Sequence, residues 1–385
     1  MPALKRKPAP APAPAPTPAD ERVPIARPRL PTRDAIGPYL DRIDAARWYT
    51  NHGPLVRELE SRLAARLAGG AGVVTVANGT IALTLALKAA GAKPGTLCLM
   101  PAWTFVATAH AAIDAGLTPY FVDVDPVTWM LDPAATCAAI ATAPGEVGAI
   151  LPVAAFGQLP DLGGWRHVAD RAGLPVIVDC AAGFDALDRA PVPVTVSLHA
   201  TKAVATGEGG YVASEDAGFI QRVRSLTAFG FAGDRTARTP AINAKLSEYA
   251  AAVGLASLDA WAADRTRLAL AAQRLRAGLA LTPQIRFQAG WGTRWVSSVC
   301  VAATPEWAAP DMAAHLATLG VETRDWWGAG CHVHPAFAAC PRGPLPVTER
   351  LARSTLGLPF FIDLPETAAA RIVEAVQDSL EALHG

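Results

Sequence analysis

The sequence predicts an α/β fold: a mostly parallel central sheet with helices on both faces, followed by a smaller C-terminal α+β unit. Three observations predict it. Between residues 72 and 214, short apolar β-prone runs alternate with helix-prone runs, the pattern of strands joined by crossover helices. Polar residues able to do chemistry stand just past the ends of those runs, where open sheets of this kind bind ligands. From about residue 250 the alternation stops, and a long helical run leads into a mixed segment. The expected division is a Pro/Ala-rich tail over 1–22, a large domain over 23–255, and a linking helix with a small domain over 256–385.

The elements follow in order. The alternating Ala-Pro of MPALKRKPAPAPAPAPTPAD suits neither a helix nor a ladder and is expected to be an extended, solvated tail. PTRDAIGPYLDRIDAARW reads as a short helix. GPLVRELESRLAARLAG follows, with Leu55, Leu59, Leu63 and Leu67 at helical spacing and Gly69-Gly70 as the stop. GVVTVA is a strand, and Asn78-Gly79-Thr80 opens the helix IALTLALKAAG. TLCLMP, PYFVDVD, GAILPVAAF, LPVIVDC, VTVSL and GGYVAS are further strands, while TFVATAHAAIDAG and WRHVADRAG are helices. LASLDAWAADRTRLALAAQRLRAGLA is the long helix. VAATPEW, a helix near Asp311 to Leu319, GVETRDW and a last helix PETAAARIVEAVQDSLEAL build the small unit.

Composition narrows the function. Of 385 residues, 51% are hydrophobic and 18% charged, so a large buried core is expected. The formal net charge of zero argues against a nucleic-acid binder. Cys98, Cys137, Cys180, Cys300, Cys331 and Cys340 are scattered rather than framed as disulfides. No apolar run is long enough to span a bilayer, and no signal peptide is recognisable. A cytoplasmic enzyme with small-molecule substrates, no membrane and no nucleic-acid partner is expected.

Lysine is rare: six residues against 28 arginines. One of the six, Lys202, lies between the strand-like VPVTVSL and the glycine-rich TGEGG. Arginine supplies charge there equally well, but not a primary amine that loses its proton and forms an imine with an aldehyde. Asn78-Gly79-Thr80 offers free backbone N–H groups at a helix start, a glycine for close approach and a hydroxyl, which together suit a phosphate. The same residues also serve as an ordinary helix cap. Asp179 ends the apolar run LPVIVD, where a carboxylate is costly unless paired. It suits either a structural pairing or a protonated ring nitrogen. These pieces fit pyridoxal 5′-phosphate: Asn78, Gly79 and Thr80 at the phosphate, Asp179 at the pyridine nitrogen and Lys202 at the aldehyde. Phe105 is a candidate to stack on the ring, or simply a core aromatic.

Many stretches match one family in order. They include WYTNHGPLVRELE, ANGTIALTLAL, PAWTFVATAHAAIDAGLTPYFVDVDPVTWMLDP, LPVAAFGQLPDL, VIVDCAAG, SLHATKAVATGEGGYVAS, NAKLSEYAA, VETRDWW and LPVTERLARSTLGLPFF. Through them the chain resembles the DegT/DnrJ/EryC1/StrS sugar aminotransferases, from about residue 24 almost to the end. The resemblance implies the fold-type I, aspartate aminotransferase-like architecture and dependence on pyridoxal phosphate. It implies that Lys202 is the Schiff-base lysine, Asp179 the pyridine partner, Gly79, Thr80 and Ser197 phosphate contacts, and Phe105 the stacking aromatic. It further implies that Asn243 reaches the phosphate of the neighbouring subunit, in a homodimer with shared active sites. One departure is clear: the family writes E-D-A-A-Q/E/H where this chain has Val178-Asp179-Cys180-Ala181-Ala182, so a polar residue near the cofactor's 3-hydroxyl becomes Ala182.

The reading that results is a transaminase. It takes an amino group from L-glutamate or a similar donor to a nucleotide-diphosphate keto-deoxysugar by ping-pong chemistry through the Lys202 aldimine. Two rivals are an aldolase or lyase acting on a non-sugar ketone, and a non-catalytic regulator on the same fold. Cys331, His332, His334 and Cys340 carry metal-ligand chemistry without a standard zinc spacing, and a polar loop lining the pocket is the preferred reading. His199 stands close enough in sequence to Lys202 to serve the site, or is a satisfied structural histidine, and Arg235 and Arg324 suit carboxylate or diphosphate oxygens, or are solvated surface.

Overall fold

The computed structural model describes residues 22–383. The tail expected over 1–22 therefore lies outside the described residues, apart from Arg22. Eleven α-helices and ten strands are described in chain order. The first half runs α1 (Arg33–Ala46), α2 (Pro54–Ala64), β1 (Gly72–Val76), α3 (Gly79–Ala89), β2 (Leu97–Pro101), α4 (Val106–Asp114), β3 (Thr118–Val122), α5 (Pro133–Ala141), β4 (Val147–Ile150), α6 (Leu162–Ala172), β5 (Val178–Asp179), β6 (Val194–Ser197), β7 (Gly210–Ser214) and α7 (Ala217–Thr227). The second half runs α8 (Glu248–Gly278), β8 (Arg286–Phe287), β9 (Cys300–Ala303), α9 (Ala309–Thr318), α10 (Pro346–Ser354), β10 (Thr355–Leu358) and α11 (Glu366–Ala382).

The first seven strands form one layer. β1-β7-β6-β5 and β3-β2-β4 are two ladders, and parallel bridges Ile150–Val176 and Val153–Asp179 join β4 to β5. The spatial order is thus β3-β2-β4-β5-β6-β7-β1. Only β7 runs against the rest, pairing antiparallel with β1 and β6. The reversal follows from connection length: β6 reaches β7 through the loop 198–209, too short for a crossover helix. That loop carries Lys202.

Side-chain alternation divides the core in two. Val73, Leu99, Val178, Val194 and Val196 face a cluster built with α2, α6 and α8, whereas Val74, Cys98, Met100, Ile177 and Val212 face one built with α3, α4 and α7. Successive residues of a strand point to opposite faces, so nearly unbroken apolar runs such as VVTV and LCLM mark a sheet covered on both sides.

The three-stranded sheet has order β10-β9-β8, all antiparallel. GVETRDW is not one of its strands: it pairs with Gly357 only at Arg324, and its Val321 pairs with Val23. Gly357 permits this close crossing, since a Cβ there would stand 2.7 Å from the Arg324 carbonyl oxygen. The long helix starts earlier than expected, at Glu248, because the Ser247 hydroxyl caps it by accepting from Ala250 N–H at 3.1 Å. Residues 255 and 256 consequently lie within one continuous helix. The buried Glu248 carboxylate in turn accepts from Leu55 N–H at 2.8 Å and Val56 N–H at 3.0 Å, capping α2 from a distant part of the chain.

Candidate active site

The carboxyl ends of β1, β5 and β6 converge on a cavity of about 1010 Å³. Asn78, Gly79, Thr80, Phe105, Asp179, Ser197 and Lys202 all line it. Seven residues spread over 125 positions of sequence are thereby brought together by the sheet.

At the end of β1, Asn78 turns the chain into α3. Its Oδ1 accepts from Ile81 N–H at 2.9 Å, so its side chain is a helix cap. The N–H groups of Gly79 and Thr80 take no acceptor among the described residues and face the cavity end of α3. Gly79 is needed for packing as well as access. A Cβ there would lie 3.0 Å from Ser197 Cβ and 3.2 Å from its Oγ. The absent side chain lets the first turn of α3 approach the end of β6, placing two backbone N–H groups and the Ser197 hydroxyl on one small patch. The hydroxyl accepts only a long bond from His199 N–H, 3.3 Å. Such a patch fits a phosphate.

Asp179 ends β5 and is buried. Burial pushes its carboxyl above the usual range, opposed by hydrogen bonds from Thr108 and Ala181 and by the charge of Lys202. Thr108 Oγ1 donates to one carboxylate oxygen at 2.9 Å and Ala181 N–H to the other at 3.0 Å. Lys202, partly buried, has its amine pulled below the ordinary lysine value by burial, with Asp179 acting the other way. The ammonium makes no hydrogen bond or ion pair with a described residue. A lysine so placed is unconstrained by partners and reaches its neutral, nucleophilic form more easily than a surface lysine.

Phe105 stands at the N-cap of α4 and is 57% exposed, with its ring open to the cavity rather than to the core. Asn243 does not line this cavity; it is exposed, and its Oδ1 accepts from Lys245 Nζ at 2.5 Å. Ala182 is at the cavity wall with no polar atom on its side chain. His199 also lines the cavity. Its Nδ1 accepts from Thr201 N–H at 3.2 Å, and its Nε2 lies 3.6 Å from Glu208. Arg324 lines the cavity with its guanidinium 5.0 Å from the Trp326 ring centre, while Arg235 does not.

The Cys331–Cys340 loop is a correction. It does not line the cavity. Cys331 and Phe337 belong to the core behind β2 and β3, with Cys331 N–H donating to Ala102 at 2.8 Å and His332 packed edge-on against Phe121. The apolar residues between the polar ones, Phe337 above all, pull the loop inward. No group of three metal-ligating side chains occurs among the described residues. No described helix is long and apolar enough to cross a membrane.

Sequence reading missed three contributors. Thr108, in the first turn of α4, reaches Asp179, and Thr104, just before that helix, bonds Thr108. The strap Ile25–Arg29 forms a cavity wall, held by Phe360 N–H donating to Ile25 and by an ion pair between Arg29 and Asp264.

The same fold recurs among known proteins. A family model for the DegT/DnrJ/EryC1/StrS aminotransferase family matches residues 32–377. The chain belongs to this family. It is 30% identical to the GDP-perosamine synthase of Caulobacter vibrioides, across 93% of this chain and 98% of that one. It is 35% identical over 246 residues to the dTDP-4-amino-4,6-dideoxy-D-glucose transaminase of Escherichia coli, across 62% of this chain and 65% of that one. The crystal structure of DesI, solved with its TDP-sugar product, matches with a TM-score of 0.83 at 33% identity, over 95% of this chain and 96% of that one. The protein is a pyridoxal-phosphate-dependent transaminase of fold type I.

Its residues fit that cofactor. The Gly79 cradle, the unpaired amine of Lys202 and the Asp179 carboxylate have the chemistry that a phosphate, an aldehyde and a protonated ring nitrogen require, within one cavity.

Proposed function

We propose that this transaminase moves an amino group from L-glutamate, or a similar donor, to a keto-deoxysugar carried on a nucleoside diphosphate. The observation that carries the reading is Lys202: an amine free of partners, biased by burial toward neutrality, in the same cavity as Asp179 and the Gly79–Thr80 helix start. Gly79, Thr80 and Ser197 hold the cofactor phosphate. Phe105 covers one ring face, and Asp179 keeps a proton on the ring nitrogen. Bound there, the cofactor supplies an electron sink for negative charge at a substrate carbon. Lys202 tethers the cofactor at rest. With the cofactor held there, the Lys202 amine would be placed to take a proton from the donor Cα and to return it one position along. Water would release the 2-oxo acid by hydrolysis before the keto sugar entered, and condensation of the keto sugar would return that water while Lys202 ran the proton the other way.

Cavity size and relatives support the acceptor. A volume of about 1010 Å³ holds more than a cofactor and an amino acid. Two relatives are described by nucleotide-sugar chemistry, as a GDP-perosamine synthase and a dTDP-amino-sugar transaminase. Arg27 and Arg324 line the cavity and suit a diphosphate. Asn243, exposed and outside its own cavity, serves the phosphate of a second copy in a homodimer.

The test is spectroscopic. Adding L-glutamate to holoenzyme converts the visible cofactor band to the shorter-wavelength band of its amine form, and 2-oxoglutarate appears in equal amount. A nucleoside-diphosphate keto sugar then restores the visible band. A band that glutamate and every other amino acid leave unchanged defeats the donor half. A band restored only by ketones lacking a nucleotide defeats the acceptor half.

A further inference from the structure

Asp179 meets a hydroxyl chain that leads from the cavity wall into the core. Thr104 lines the cavity, and its Oγ1 lies 2.8 Å from Thr108 Oγ1. Thr108 Oγ1 lies 2.9 Å from an Asp179 carboxylate oxygen. All three side chains are buried, at 1%, 0% and 5% exposure for Thr104, Thr108 and Asp179, so water does not compete for these bonds.

The direction of the chain follows from counting hydrogens. An ionised carboxylate only accepts, so Thr108 must give it the one hydrogen it has. Thr108 then has only lone pairs to offer Thr104, so Thr104 donates to Thr108. Both hydroxyl dipoles point their positive ends toward Asp179. Were the carboxyl protonated at this oxygen, it would donate to Thr108 and the chain would run the other way. The 2.9 Å and 2.8 Å separations fit the direction that an ionised Asp179 imposes.

We propose that Thr104 and Thr108 are positioning residues that hold Asp179 as a carboxylate, and so hold the proton on the cofactor's ring nitrogen. The proposal rests on the reading of Asp179 as the ring-nitrogen partner, and on the geometry just given for the chain itself. It explains how a buried carboxyl keeps its charge. Other titratable groups facing Asp179 are Lys202, from the loop after β6, and the adjoining Cys180 thiol. Burial pushes that thiol up, which leaves it neutral. Lys202 favours the carboxylate only while it is itself charged, and its chemistry requires it to give up a proton. The hydroxyl chain, together with the Ala181 N–H, is the support that does not vanish at that moment.

The experiment is a titration of the Asp179 carboxyl by ¹³C NMR in the full-length chain, with and without bound pyridoxal phosphate, the resonance being assigned by its loss in Asp179→Asn. Thr108→Val removes the donor while keeping the shape. It is expected to raise the protonation midpoint by about one pH unit, a roughly tenfold rise in proton affinity. Thr108→Ser restores the donor and the midpoint. Thr104→Val is expected to raise it by less, in the same direction. In holoenzyme the ring-nitrogen ¹⁵N resonance of Thr108→Val moves toward its unprotonated value. Unchanged midpoints in both valine variants overturn the proposal, and if Thr108→Val does not fold, Thr104→Val alone decides. The result separates from the transaminase reading, because a failed glutamate half-reaction leaves this titration intact, and an unmoved titration leaves the half-reaction intact.

Discussion

Gly79→Ala separates two effects that normally travel together, stability and cofactor affinity. Alanine is the better helix former, by about 1 kcal/mol in a helix interior and less at the first position. Against this, the new Cβ would stand 3.0 Å from Ser197 Cβ and 3.2 Å from Ser197 Oγ. Those distances require a shift of a few tenths of an ångström. Rotation of the serine side chain moves Oγ away, and the 3.0 Å contact with Ser197 Cβ is relieved by a small backbone shift. The fold should therefore survive with its unfolding free energy changed by less than about 1 kcal/mol. The phosphate patch should not survive. Displacing the Ser197 hydroxyl removes one hydrogen bond to a charged group, about 1.5–3 kcal/mol. That predicts roughly 10- to 150-fold weaker binding of pyridoxal phosphate. The assay is fluorescence titration of cofactor-free protein, beside urea unfolding of the same sample. Cofactor affinity within twofold of wild type would refute the assignment of this turn as the phosphate site. A large loss of stability would refute the packing argument.

Three other outcomes are expected. Glu248→Ala should cost about 2–4 kcal/mol in urea unfolding, because it leaves the buried N–H groups of Leu55 and Val56 without an acceptor. Lys202→Met should alter the pH dependence of the cofactor-free protein. The folded chain holds the Lys202 proton less tightly than the unfolded chain, so stability rises with pH from the lowered folded value up to the ordinary lysine range, and this rise is absent from the variant. Mixing Asn243→Ala with Lys202→Ala, each impaired alone, should recover about a quarter of wild-type activity if sites are shared, since half the dimers are mixed and each carries one intact site. No recovery after subunit exchange would place Asn243 outside the neighbouring site.

What was legible in the sequence was whatever local rules determine. Val-Ile-Val-Asp ends a buried strand with a charge, and Asn-Gly-Thr starts a helix after a strand. Lys202 is a rare residue in a glycine-rich loop, so all three stood out without knowledge of their neighbours. The sheet's two-sided burial was legible for the same reason. What escaped depends on contacts distant in sequence. Thr108 reaches Asp179 across 71 positions, and Glu248 reaches Leu55 across 193. No periodicity encodes either. Helix α5 escaped because it buries little, only Thr136 among its residues, so it shows no apolar stripe. Helix α7 had a visible start in Asp216, whose side chain accepts from Phe219 N–H at 3.0 Å, and buries Phe219, Ile220 and Val223. The Cys331–Cys340 loop misled because its polar residues were read as facing a pocket, when its apolar ones decide where it sits.

The two central ionisable groups pose opposite problems to the same cavity. Burial disfavours charge on both Lys202 and Asp179. For Lys202 that helps, because the neutral amine is the form that reacts. For Asp179 in its proposed role it harms, because the carboxylate is the form that would keep a ring nitrogen protonated. A uniform environment cannot satisfy both. Hydrogen bonds oppose the effect of burial at Asp179 without cancelling it, and nothing of the kind from a described residue acts on Lys202. Asp179 receives two donors, Thr108 and Ala181, and Lys202 receives no partner among the described residues. Exchanging those surroundings would reverse the bias, leaving an anchored ammonium beside a neutral acid. The asymmetry of partners, more than the presence of a lysine and an aspartate, is what makes the cavity fit for transamination.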